Sequence, residues 1–142
     1  YSFERYIERS SLYYAVKKEH IKLIQWLLIN TNLNVNFGIK EIYSDNETWR
    51  KLLQEKTPLY IAVEKQNIEI IQSLLNHPKI KVNFKSTLQK KNDSSIVKNT
   101  VLQLATELEN NEIIQLLPKE TGNSFYVMPF IAIIFGLYLL LR

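Results

Sequence analysis

Two histidines, His20 and His77, are the side chains of this sequence best suited to bind a metal ion or to transfer a proton near neutral pH. His20 lies at the turn between two predicted helices, whereas His77 follows the second helix of a later pair. No carboxylates accompany either histidine at the spacing of a metal site. We therefore expect structural or surface roles for both, and no bound metal ion.

The remaining residue types do not favour nucleophilic or cofactor chemistry. The absence of cysteine excludes thiolate nucleophiles, disulfides and cysteine-ligated zinc. The three glycines, Gly38, Gly122 and Gly136, are too scattered for a phosphate-binding loop. Carboxylates such as Glu64 and Glu107 recur beside lysines or at surface spacing, as on a solvated helix face. We predict a non-enzyme with no catalytic residues and no cofactor.

Length and charge narrow the remaining function classes. The 142 residues have room for one domain. The net charge is +4, from 18 basic and 14 acidic side chains, and the excess is spread along the chain. A localised basic surface is not indicated, which argues against nucleic acid as the partner.

One segment of the sequence occurs three times. Its middle copy, residues 57–75, reads TPLYIAVEKQNIEIIQSLL, and residues 10–28 and 100–117 match it. The first two copies continue in register through residues 33–37 and 80–84. Agreement of this kind in three copies predicts a protein built of structural repeats.

Each copy predicts two short helices. In the middle copy, Leu59, Ala62 and Val63 lie at helical spacing on one apolar face. Thr57 is suited to the N-cap and Pro58 to the first helical position. The second helix has its own apolar stripe, formed by Ile68, Ile71, Leu74 and Leu75. Since helices of this length are marginal alone, each pair needs to stack on its neighbours.

These segments resemble ankyrin repeats. The run from Thr57 to Ala62 is similar to the family's T-P-L-H-x-A motif, with Tyr60 in place of histidine. The run from Ile70 to Leu75 and the dipeptide Val82-Asn83 resemble its second helix and hairpin entry. The resemblance covers residues 10–37, 57–84 and 100–117.

The sequence also departs from the ankyrin pattern. The repeats recur at more than the family's spacing of about 33 residues, and the additional residues fall at hairpin-loop positions. The family's glycine between the two helices is replaced by Glu19, Gln66 and Glu109, where the local geometry is therefore expected to differ.

We predict an all-α fold: an ankyrin-type helix-pair repeat solenoid of about three repeats with long inserted loops, plus a C-terminal hydrophobic helix. The predicted segments are a partial N-terminal segment at 1–9, repeats at 10–37, 57–84 and 100–117, inserts at 38–56 and 85–99, a linker at 118–124 and a hydrophobic helix at 125–141.

The first insert predicts a small additional helix. Residues 44–47, Ser-Asp-Asn-Glu, form a capping-box pattern that precedes Trp49, Leu52 and Leu53 at helical spacing. We expect Trp49 to pack on the adjacent repeat; alternatively, it is an aromatic anchor for a partner. The second insert is rich in lysine and serine and reads as a solvated loop, with contact to an acidic partner as its alternative role.

The ankyrin resemblance implies a concave, exposed surface on the first helices that binds another protein. It places eight candidate contact residues there: Tyr14, Lys17, Lys18, Ile61, Glu64, Lys65, Leu104 and Leu108. Trp49 is the ninth candidate. The alternative is that some of these residues are ordinary surface.

The segment 125–141 predicts a membrane helix. It contains no charged residue and no polar stripe, and as a helix it would rise about 25 Å, at the short edge of a bilayer span. Tyr126 and Tyr138 lie near its two ends, and Arg142 follows. We expect a single-pass C-terminal anchor with the repeats in the cytosol. A buried helix that covers the last repeat is the alternative, although such a cap normally has a polar outer face.

The sequence thus predicts a non-catalytic protein–protein interaction scaffold of ankyrin repeats, tethered to a membrane by its C-terminal helix. Two alternatives stay open: a soluble nucleic-acid-associated factor, and a regulatory fragment of an enzyme. Salt-dependent binding to mixed oligonucleotides would favour the first of these, and a catalytic region in the full reading frame would favour the second.

Overall fold

Helix pairs alternate with strands along the chain. A computed structural model describes residues 3–30, 32–45, 49–89 and 95–119. The helices are α1 (Ser11–Lys17), α2 (Ile21–Asn30), α3 (Pro58–Glu64), α4 (Ile68–Leu75), α5 (Val101–Glu107) and α6 (Asn111–Leu116). The strands are β1 (Phe3–Arg9), β2 (Ile39–Asp45), β3 (Trp49–Lys56), β4 (Ser86–Gln89) and β5 (Ile96–Asn99).

The five strands form one antiparallel sheet in chain order, so the predicted all-α fold is wrong. The small helix predicted in the first insert is absent, because β2 ends at Asp45 and β3 begins at Trp49. Helical spacing of a few apolar residues does not exclude a strand, and the pairing of Trp49 and Leu52 with β2 determines the local structure. The second insert contains β4 and β5, where a solvated loop was expected.

Two predicted segments lie partly or wholly outside the described residues. The segment 125–141 falls outside the described residues, as does most of the linker 118–124. Within the described ranges, no helix is long and apolar enough to cross a membrane. The exact limits of the repeats and inserts stay predictions.

The helices begin at capping side chains that recur at equivalent positions. Ser10, Thr57 and Thr100 each accept a hydrogen bond from the backbone N–H three residues later, at the start of the first helix of a pair. Asn67 and Asn110 do the same for α4 and α6. In α2 this position is held by His20, whose Nδ1 accepts from the Leu23 N–H at 3.4 Å. The N-cap side chains thus fix where most helices start.

The turns between paired helices adopt the left-handed conformation without glycine. Glu19, Gln66 and Glu109 all have a φ of 54°, which costs an L-residue roughly 1–2 kcal/mol. The Asn67 side-chain amide donates to Glu19 Oε1 at 2.9 Å, and that of Asn110 donates to Gln66 Oε1 at 2.9 Å. Glu19 and Gln66 thereby each hold the cap of the next helix pair, which a glycine at this position cannot do.

The apolar core lies between neighbouring helix pairs. Helix α3 contacts both α1 and α5, and α4 contacts α2. Leu59, Ala62, Val63, Ile70 and Ile71 in the middle pair are all fully buried. Full burial is worth about 1.5–3 kcal/mol for each large aliphatic side chain. The stack therefore holds together chiefly through contacts between repeats.

Gly38 connects the sheet to the helices where no side chain fits. A Cβ at this position would collide with the Lys56 carbonyl oxygen. The Gly38 carbonyl accepts a hydrogen bond from the Ser10 N–H at 2.9 Å. The chain therefore enters β2 in close contact with the starts of both α1 and α3.

We expect Glu109→Gly to increase the free energy of unfolding by about 0.5 kcal/mol. Relief of the left-handed strain exceeds the added entropy of the unfolded chain, which is roughly 0.4–1 kcal/mol. Gln66→Gly should give a smaller gain or none, because it also removes the acceptor for Asn110. Urea denaturation of both variants measures this, and equal gains would contradict a stabilising role for the Gln66–Asn110 bond.

Candidate functional site

An open depression lies between the first two helix pairs and the sheet. Helices α1 and α3 form one wall and strands β2 and β3 form the other. Its volume is about 360 Å³. The lining residues, which together we call the groove, are Tyr13, Lys17, Ile39, Gln54, Lys56, Ile61, Glu64 and Lys65. In the sheet, Ile39 pairs with Lys56, so one strand pair supplies an apolar and a cationic side chain side by side.

The groove carries more positive than negative charge. Three lysines line it against a single glutamate. Lys56 Nζ bonds Glu64 Oε1 at 2.7 Å and lies 5.8 Å from the centroid of the Tyr60 ring. Lys65 is 3.9 Å from Glu19, a loose and partly exposed pair of little energetic weight. The single glutamate therefore neutralises only part of the positive charge of the three lysines.

Lys17 differs from the other two groove lysines. Its Nζ lies 5.5 Å from the centroid of the Tyr13 ring, and the Arg9 guanidinium lies 6.0 Å from the same ring. Within the described residues, no carboxylate forms a salt bridge with Lys17. This ammonium group is thus held near an aromatic face and remains able to pair with an external anion.

A buried carboxylate supports the sheet wall of the groove. Glu41 is 4% exposed and accepts hydrogen bonds from Arg5 of β1 and from Gln54 of β3, the latter at 2.6 Å. Burial by itself would raise the pKa of Glu41, but the hydrogen bonds from Gln54 and Arg5 outweigh it and leave the pKa below its ordinary value. The ionised carboxylate therefore ties three strands together.

The other titratable groups near the helices are not arranged for proton transfer near neutral pH. Burial, assisted by Glu64 and Glu107, raises the pKa of Tyr60 to about 12, so its phenol stays neutral. His77 accepts the Lys79 N–H at 3.1 Å, and burial together with Lys79 lowers its pKa. No cluster of metal-ligating side chains occurs among the described residues.

The described part of the chain contains three stacked helix pairs, each preceded by a strand. The family model described as ankyrin repeats matches residues 12–126 in three copies. The chain belongs to the ankyrin repeat family. The resemblance inferred from the sequence is thereby confirmed. No curated protein matches the chain.

The candidate contact residues of these ankyrin repeats occupy different environments. Lys17, Glu64 and Lys65 are exposed and line the groove, whereas Tyr14 and Lys18 are exposed outside it. Ile61 also lines the groove but is 5% exposed, and Leu104 is 9% exposed. Leu108 is half-buried against the core. Trp49 is the first residue of β3, and its side chain is outside what the structure describes. The expected exposure therefore does not hold for Ile61 and Leu104, which pack between repeats.

Half of the groove was missed by sequence reasoning. Ile39, Gln54 and Lys56 come from strands that were expected to be insert, and Tyr13 was assigned to no surface. The β-branched and aromatic residues Ile39, Ile42 and Tyr43 within one short run were the available signal for β2. The strands of this chain thus place groove residues outside the helical motif.

We expect Glu41→Gln to lower the free energy of unfolding by about 1 kcal/mol near neutral pH, because the charged hydrogen bonds to Arg5 and Gln54 are weakened. The magnitude stays modest since the Arg5 side chain is 61% exposed and solvent screens the pair. The folded-state pKa of Glu41 lies below its ordinary value of 4.5. Its contribution is therefore complete above that value and is lost as the pH falls through the folded-state pKa.

Urea denaturation of wild type and variant across this pH range provides the measurement. The difference between the two proteins should shrink in acid. A difference that grows as the pH falls would show that Glu41 is not stabilised as the carboxylate.

Proposed function

We propose that this ankyrin repeat protein is a non-catalytic scaffold whose groove binds an acidic segment of another protein. Ankyrin repeats generally act as protein-binding scaffolds, which supports the general part of the proposal. The acidic character of the partner rests on one observation, the uncompensated positive charge of the groove around Lys17.

Charge complementarity supports an acidic partner. A carboxylate entering the groove can pair with Lys17 without breaking an existing salt bridge. It also displaces little at Lys65, whose contact with Glu19 is loose. Complementary charge of this kind increases the association rate and selects between partners.

The form of the groove supports a segment of polypeptide as the occupant. Its buried apolar floor includes Ile39 and Ile61, and its rim carries the three lysines. Protein interfaces commonly combine such an apolar centre with a polar rim and use tyrosine and cations in contacts. A segment with an apolar side chain between two carboxylates complements this lining best.

We further propose that residues 125–141 tether the protein to a membrane, with the repeats on the cytosolic side. The support is the sequence: the segment has no charged residue, and tyrosines lie near both ends. A tether would confine the groove to partners at or near that membrane.

The groove proposal predicts that charge reversal in the groove weakens the binding of an acidic peptide. A fluorescent peptide is first selected on the wild-type chain from a random-peptide library, and its affinity is then measured by anisotropy. The selected peptides should be rich in Asp and Glu. The variant Lys17→Glu/Lys65→Glu should weaken their binding by at least about tenfold, which corresponds to 1.4 kcal/mol.

The matched control is Lys22→Glu/Lys81→Glu, which changes the net charge equally at exposed positions outside the groove. It should leave both binding and the melting temperature nearly unchanged. Equal loss in both variants, selected peptides without acidic residues, or preferred binding of mixed oligonucleotides would contradict the proposal.

The tether proposal predicts that the chain expressed in cells stays in the membrane pellet after alkaline carbonate extraction. Ile133→Lys/Phe135→Lys should release it, since each charge at the centre of a membrane helix costs about 2.5–3.5 kcal/mol. Release of the unmodified chain into the supernatant would reject the tether while leaving the groove proposal intact.

A further inference from the structure

In the second and third repeats, the last residue of the strand before the helix pair bonds the last residue of the first helix. Strand β3 ends at Lys56 and helix α3 at Glu64, and Lys56 Nζ donates to Glu64 Oε1 at 2.7 Å. Strand β5 ends at Asn99 and helix α5 at Glu107, and Asn99 Nδ2 donates to Glu107 Oε1 at 3.1 Å. These two positions therefore hold a donor and a carboxylate in direct contact.

The first repeat has two cations at the same two positions. Strand β1 ends at Arg9, and helix α1 ends at Lys17. Both side chains lie beside the Tyr13 ring, with Arg9 Cζ 6.0 Å and Lys17 Nζ 5.5 Å from its centroid. Neither forms a salt bridge with a carboxylate in the part of the chain that the structure describes. The pair of positions is thus kept, but the negative partner is replaced by a second positive charge.

The two cations adjoin the groove. Lys17 and Tyr13 line it. Arg9 lies directly opposite Ile39 in the pairing of β1 with β2, and Ile39 belongs to the buried floor of the groove. Opposite residues of an antiparallel strand pair project from the same face of the sheet. Arg9 therefore extends the positive charge of the groove by one strand beyond Ile39.

We propose that Arg9 and Lys17 together bind one phosphate group, carried by a phosphorylated side chain of the acidic segment that occupies the groove. The inference rests on the proposed function of the groove and specifies one residue of its partner. Side chains at these positions reach each other in the other two repeats, so Arg9 and Lys17 can both reach an anion placed between them. The anion supplies the negative charge that Glu64 and Glu107 supply in those repeats.

A phosphate monoester matches this pair of cations better than a carboxylate does. It carries a charge of about −1.5 to −2 near neutral pH, so one group neutralises most of the charge of both cations. Two of its three free oxygens can accept parallel hydrogen bonds from the Arg9 guanidinium, while the third accepts from the Lys17 ammonium. A carboxylate has one negative charge and two oxygens, and it would leave one of the two cations largely uncompensated.

The floor of the groove favours a polypeptide as the carrier of the phosphate. Ile39 lies beside Arg9, and Ile61 lines the same groove, so an apolar surface adjoins the two cations. A phosphorylated segment can place an apolar side chain on this floor and its phosphate on the cations a few residues away. A lipid headgroup or a nucleic-acid backbone supplies the phosphate without that apolar side chain.

The phosphate site is tested with matched peptides and the full chain. A peptide selected for binding to the groove is synthesised with Ser, Glu or phosphoserine at each of its acidic positions in turn, and affinities are measured by fluorescence anisotropy. At one position, phosphoserine should bind at least about tenfold more tightly than Glu at a pH of about 7.5. This preference should shrink towards a pH of about 5, because the phosphate loses its second charge near pH 6 while Glu stays ionised.

Two variants make the test specific to the pair of cations. Arg9→Gln should remove the preference for phosphoserine and leave the affinity for the Glu peptide within about twofold, since Arg9 itself does not line the groove. Lys22→Gln is the matched control, because it removes the same charge at an exposed position outside the groove. This control should keep the full preference for phosphoserine.

Equal affinities of the phosphoserine and Glu peptides for the wild-type chain would overturn the phosphate site and leave the groove proposal intact. A preference that persists in Arg9→Gln, or that is lost equally in Lys22→Gln, would overturn it in the same way. Vesicles containing a phosphorylated lipid that bind more tightly than the phosphoserine peptide, with the same dependence on Arg9, would replace it by a lipid headgroup site. Failure of every peptide to bind would reject the groove proposal together with this one.

Discussion

The packing of short helices against their neighbours is the interaction on which the rest of this structure depends. The helices are 6 to 10 residues long, too short to be stable alone in water. The middle pair has neighbours on both sides, and its Leu59, Ile70 and Ile71 are completely buried. Contacts between repeats therefore provide most of the stability. The loss of one interface exposes the apolar face of the next repeat.

Polar contacts define how the repeats align, although they contribute less free energy than the apolar core. The bonds Asn67–Glu19 and Asn110–Gln66 join a helix cap in one repeat to a turn in the repeat before it. The Asn36 side chain makes a comparable link to the loop after α4, through the Lys79 carbonyl and the Lys81 N–H. Because each bond requires one alignment, together they exclude sliding of one apolar face along another.

The helices could be predicted from the sequence because their determinants are local. The apolar spacing and the Thr57 cap lie within a few residues of one another, and the same local pattern recurs in three copies. The strands depend on partners far along the chain: Phe3 pairs with Asp45, for example. No local pattern specifies such a pairing, and the spacing of Trp49 and Leu52 imitated a helix. Sequence reasoning therefore found the helical side of the groove except Tyr13 and missed the sheet side.

The helices and the strands also differ in what they contribute to stability and to the groove. The chain enters β2 at Gly38, which contacts Ser10, and leaves β3 at Lys56, which lies beside Thr57 at the start of α3. The outer parts of β2 and β3 consequently lie away from the helix core. Their orientation is held by Glu41, a buried charge whose partners come from β1 and β3 and which serves alignment better than net stability. Of the residues on this wall, Ile39 belongs to the buried core, whereas a change of Lys56 alters the charge of the groove without removing apolar burial between the repeats.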